Sequence, residues 1–124
     1  MRGIERTVTA FAGLFGATGI IASALHAHRD ADPALLSAAL ILLVHAPMLI
    51  AVLAALRVGL LARFGGIITL VAIIIGVILF SGSIGFRIAT GTPLFPMAAP
   101  TGGILLIAGW AILAVTGIFL RKAD

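Results

Sequence analysis

Residues 64–86 read FGGIITLVAIIIGVILFSGSIGF, an apolar run with no charged residue, closed by Arg63 on one side and Arg87 on the other. A helix needs about 20 such residues to cross roughly 30 Å of hydrocarbon, and this run is long enough. Its hydrophobicity is continuous and does not alternate, so it is not a strand of a closed barrel. In lipid only helices and closed barrels satisfy every backbone group. The run is therefore read as a membrane-spanning helix, and three more of the same kind surround it.

Moving outward, Ala34 to Leu56 is a second run between Asp32-Pro33 and Arg57. Thr7 to Leu25 is a third, between Arg6 and His26. The last, Thr101 to Leu120, ends at Arg121 and Lys122. The expected fold is all-α, a bundle of four transmembrane helices over approximately 7–25, 34–56, 64–86 and 101–120, forming one membrane domain across residues 1–124. Arg2, Arg6 and Ala22-Ser-Ala24 give the first run a faint likeness to a cleaved leader, but it is longer than a signal core, so it is read as a retained span.

Composition agrees. The chain is 62% hydrophobic and 10% charged, more apolar surface than a soluble domain of this size can bury. It has no cysteine, which excludes thiolate chemistry, disulfides and sulfur-ligated metals. The formal charge of +4 comes from basic residues lying singly or in pairs between apolar runs, a pattern of topology determinants and not of nucleic-acid binding. Six of the eight, namely Arg2, Arg6, Arg57, Arg63, Arg121 and Lys122, fall on one side of a four-span layout, and Arg29 and Arg87 fall on the other. That bias predicts both termini in the cytoplasm and a multi-pass protein of the cell inner (plasma) membrane.

The outer connections differ. His26 to Pro33 is short and polar, and Asp32-Pro33 reads as an N-cap followed by proline at the first helical position. Arg87 to Pro100 carries Pro93, Pro96 and Pro100 around Phe95 and Met97, and proline this dense predicts a loop lying against headgroups or another protein.

Three stretches together resemble one family. Gly13-Leu-Phe-Gly-Ala-Thr-Gly19 is similar to its glycine-rich first-helix motif, and Val44-His-Ala-Pro-Met-Leu-Ile50 to its second-helix histidine motif. Phe80-Ser-Gly-Ser-Ile84, with Pro100-Thr-Gly-Gly103 and Ala108-Gly-Trp110, is similar to its most recognisable signature. The family is the transmembrane protein 256 / domain of unknown function 423 group of small four-helix membrane proteins, and the resemblance covers nearly the whole chain. It departs from the family pattern at Thr18, where histidine is usual, at Val44, usually aromatic, and at Gly85, usually tyrosine. The resemblance implies the fold and the membrane and no activity.

His45 is the leading candidate for chemistry. It sits about 16 Å along the second helix, near the bilayer midplane, where an ionisable group is expensive and signals function by default. The alternative is structural: a neutral ring bonded to Thr18, Ser81, Ser83 or a carbonyl near Leu43 that Pro47 frees by kinking the helix. Thr18, His45, Ser81, Ser83 and Thr101 form a candidate polar cluster in the central-to-outer half of the membrane. Gly13, Gly16, Gly19, Gly82, Gly109 and Gly117 are expected at helix–helix contacts, because small residues let backbones approach in lipid. His26 and His28, beside Asp30 and Asp32, are weak metal candidates whose spacing matches no specific motif, so no metal site and no cofactor is expected. A haem between helical histidines finds no second ligand at the right depth within one chain; His45 from two chains could serve, but nothing else in the sequence supports it.

None of Glu5, Asp30, Asp32 and Asp124 lies inside a span. That removes the buried carboxylate of a proton-coupled exporter and the acid of a hydrolytic triad. Two functions remain: a non-catalytic packing, assembly or accessory component of the membrane, or a small-molecule channel, carrier or lipid/quinone binder built around His45. The expected partners are membrane lipids and either further copies of the chain or a larger membrane complex, with no nucleic acid.

Overall fold

The computed structural model describes residues 2–119. Leu120, the last residue of the predicted fourth helix, and Arg121, Lys122 and Asp124 lie outside the described residues. The described chain forms four helices: α1 Arg2–His26, α2 Ala34–Arg57, α3 Arg63–Thr90 and α4 Ala98–Phe119. All four are long and apolar enough to cross a membrane.

Successive helices pack against each other, α1 on α2, α2 on α3 and α3 on α4. The fully enclosed side chains are concentrated on the two middle helices, Leu49 on α2 and Thr69, Ile73 and Val77 on α3, and Leu49, Ile73 and Val77 belong to one core cluster. Val8, Ala12 and Phe15 of α1 and Leu106 of α4 complete the core from either side. The outer faces of α1 and α4, including Leu14, Ile20, Ile21, Ile104 and Ile107, are exposed. In a bilayer that arrangement is stable, since lipid is as apolar as leucine and helix contacts there come from close packing.

Several boundaries differ from the sequence reading, each for a local reason. α1 begins at Arg2, not Thr7, because charged residues at a helix end leave the lipid without ending the helix. Glu5 lies in its first turn and Arg57 in the last turn of α2, each favourably placed against the helix dipole, and Arg57 Nη1 donates to Glu5 Oε1. α3 passes Arg87 and stops at Gly91, whose left-handed conformation (φ 81°) caps the helix while its N–H donates to the Arg87 carbonyl at 2.7 Å. α4 begins at Ala98 and not at Thr101, so Pro100 lies in its first turn, where its missing N–H breaks no helical bond. At the start of α2, Asp32 Oδ1 accepts the Ala34 N–H at 2.8 Å, the capping bond expected of this carboxylate. α2 continues as helix through Pro47.

Candidate functional site

His45 points into the bundle and is 3% exposed. Its Nδ1 lies 2.7 Å from the carbonyl oxygen of Ile41, one turn back on α2. The indole Nε1–H of Trp110, on α4, donates to His45 Nε2 at 3.1 Å. The two rings meet edge to face, with centroids 6.0 Å apart and planes inclined at 63°.

These partners fix the state of the ring. A carbonyl can only accept and an indole N–H can only donate. Nδ1 must therefore carry the proton and Nε2 must offer a lone pair, which is the neutral imidazole with one defined tautomer. A second proton at Nε2 would set two N–H groups against each other. A metal at Nε2 would first have to displace Trp110.

The sequence reading placed the partner elsewhere. His45 bonds none of Thr18, Ser81, Ser83 or Thr101, nor the Leu43 carbonyl. Helical side chains lean back toward the N-terminus, which brings the ring onto its own i−4 carbonyl. The five-residue cluster does not form: Thr18 and Thr101 are exposed. Ser81 and Ser83 are buried, and the Ser81 hydroxyl ties α3 to α2 by donating to the Ala38 carbonyl at 3.0 Å. Ala38 is seven residues from His45, about 10 Å along the helix.

Trp110 is the functional neighbour that sequence reasoning missed, although a depth count would have found it. α2 and α4 run in the same direction. His45 is eleven residues from the start of α2 and Trp110 twelve from the start of α4, so both lie at one level. Starting α4 at Thr101 hid the match. Trp110 is 45% exposed and its outer side faces an apolar groove of about 560 Å³ with Val44, Pro47, Met48 and Leu113.

The glycines divide sharply. A Cβ on Gly19 would meet the Leu43 side chain at 2.8 Å and one on Gly109 the Ile73 side chain at 2.8 Å, while one on Gly16 would only touch Ala46 at 3.8 Å. Gly13, Gly82 and Gly117 have no neighbour within 4 Å, which corrects their placement at helix contacts. Six residues turn a helix by about 600°, so Gly13 and Gly19 lie about 120° apart and cannot share one face. The closest approach of one backbone to another involves Gly76 and Gly102, neither singled out as a packing residue. A Cβ on Gly102 would lie 2.5 Å from the Phe80 amide nitrogen and 2.7 Å from the Gly76 carbonyl oxygen, backbone atoms that cannot swing aside. Near the other end of this interface Thr116 is wholly buried against Gly65, with no hydrogen-bond partner for its hydroxyl.

In the α1–α2 loop Asp32 is committed to starting α2. Among the described residues no three His, Cys, Asp or Glu side chains converge as metal ligands.

Four apolar spans around a neutral, internally bonded histidine define a multi-pass membrane protein of the four-helix kind. The family described as Protein of unknown function (DUF423) matches residues 12–103, and the chain belongs to it. This is the family its motifs resembled, and the matched span contains His45 but stops short of Trp110. No solved structure matches the chain.

Proposed function

We propose that the chain is a non-catalytic accessory component of the cell inner membrane, with both termini cytoplasmic, acting by packing with further copies of itself or with a larger membrane complex. One observation carries this reading: both ring nitrogens of His45, among the described residues the only ionisable side chain well inside a span, are taken up by bonds within the chain. A ring used to bind substrate or move protons keeps a nitrogen available; a ring that fastens α2 to α4 does not. The exposed apolar faces of α1 and α4 also support it, since they offer surface to lipid and to other membrane helices. Tiny loops and the absence of an intramembrane acid fit the same role.

Purification of the full chain in mild detergent, followed by native mass spectrometry, tests the proposal. The expected result is a defined homo-oligomer or a stoichiometric membrane-protein complex that persists in His45→Gln. A monomer carrying a stoichiometric quinone or other small molecule, lost in His45→Gln, would overturn it in favour of a small-molecule carrier or binder.

A further inference from the structure

At the end of the bundle that carries Arg2, Arg6, Arg57 and Arg63, a cavity of about 630 Å³ opens where Glu5, Arg57 and Arg63 meet, above Ile4 and Ile67. Directly below is a second cavity of about 420 Å³, walled by Val8, Leu70, Val71 and Ile74, which again includes Ile4 and Ile67. The shared residues join the two into one groove between α1 and α3, helices whose extensive contacts are with α2 and α4 and not with each other. The one hydroxyl in the lower part, Thr7 Oγ1, donates to the Gly3 carbonyl at 3.0 Å, so the wall is effectively apolar.

The charge sits only at the mouth. Two guanidinium groups and one carboxylate line it, a net of +1 (two minus one). Arg57 is engaged by Glu5, whereas Arg63 has no acidic partner among the described residues. The groove's depth is also informative. From Arg63 to Ile74 is eleven helical residues, about 17 Å, close to half of the roughly 30 Å hydrocarbon thickness. It therefore runs from the headgroup level to near the midplane, the reach of one acyl chain in one leaflet. On the opposite half of the same α1–α3 face an apolar groove of about 560 Å³ continues past Phe11, Phe15 and Val77, but no charged residue lines it.

We propose that the α1–α3 groove binds one anionic phospholipid, its phosphate held by Arg63 and Arg57 and one acyl chain lying along Ile4, Ile67, Leu70 and Ile74. Basic pockets between helices at the membrane surface recognise such headgroups by charge, and an apolar slot beneath them supplies the site for the chain. Glu5 holds Arg57 over the mouth and leaves Arg63 as the main source of selectivity. The inference is separate from the accessory role: it does not involve His45, and of any assembly it requires only that the α1–α3 groove stay open to lipid.

The test is native mass spectrometry of the full chain in micelles titrated with phosphatidylglycerol and phosphatidylcholine. Wild type should retain one phosphatidylglycerol per chain in preference to phosphatidylcholine. Arg63→Gln should lower phosphatidylglycerol affinity about fivefold and leave phosphatidylcholine unaffected, while Arg63→Lys keeps most of the preference. Ile67→Trp, which fills the groove, should weaken both lipids. Equal retention of the two lipids by wild type overturns the proposal whatever the variants do. So does competition by inorganic phosphate as effective as that by the lipid, which would mark a simple ion site. A groove closed by a second copy of the chain, seen as a dimer without bound lipid, overturns it as well.

Discussion

A buried imidazole with two partners of opposite character is a tight constraint, because each partner dictates what the other nitrogen must be. Removing the ring should therefore cost more than one contact. His45→Leu leaves the Trp110 N–H without its acceptor in an apolar interior, and stability in detergent should fall by about 1 kcal/mol. Trp110→Phe should cost a similar amount. The double variant should fall short of additivity, with a coupling of about 0.6–1.7 kcal/mol. Trp110 is the chain's single tryptophan, so its fluorescence reports the bond directly. Emission should shift in His45→Leu and His45→Asn, since an asparagine amide reaches only the Nδ1 position, and be largely kept in His45→Gln, whose longer amide reaches the Nε2 position. An unchanged emission maximum in His45→Leu would show that the bond is absent in solution. At this scale the sequence revealed the unusual residue but not its partner. The cost of an ionisable group in mid-membrane follows from hydropathy alone, whereas the choice of Ile41 and Trp110 depends on side-chain direction and on where α4 begins.

Between elements, the contact that admits least change is the crossing of α3 and α4 at Gly76 and Gly102. Gly102→Ala inserts a methyl group 2.5 Å from a backbone nitrogen, and overpacking of this kind costs about 1–3 kcal/mol. Gly13→Ala meets nothing within 4 Å and replaces a helical glycine, so it should be neutral or stabilising by about 0.5–1 kcal/mol. Thermal unfolding of the two variants in one detergent checks both signs; a Gly102→Ala protein as stable as wild type would mean that the helices cross elsewhere. The four spans were legible because charge and proline punctuate them. The glycine contacts were not, because recurrence every three residues suggests a stripe while the helix rotates successive glycines away from a common face. Gly76 shows the converse: nothing in the sequence separates it from its neighbour glycines on α3, yet it alone of Gly76 and Gly82 faces another helix closely. Charge taken for a helix stop misjudged the ends at Arg6 and Arg87, but placed those at His26, Arg57 and Arg63 to within one residue.

For the whole molecule, the outstanding expectation is orientation. A chain without cysteine can be labelled at single introduced positions with no background. Val58→Cys, between α2 and α3, should be protected from a membrane-impermeant maleimide on intact cells, and Arg29→Cys and Thr92→Cys, in the two other connections, should react. The reverse pattern would invert the proposed topology, and labelling of all three would refute four spans. The bundle itself is two hairpins, α1–α2 and α3–α4, more extensively packed within themselves than across the α2–α3 seam. Each hairpin closes through a short connection at small entropic cost, so both can form as the chain emerges. The His45–Trp110 bond joins residues 65 apart in sequence, and its donor lies on α4, the last of these four helices to be made. Until that helix is seated, the chain holds an imidazole nitrogen in lipid with no hydrogen bond to accept. The bond thus marks completion of the four-helix bundle: a chain whose α4 is missing or misdirected is left with an unsatisfied polar group at its centre.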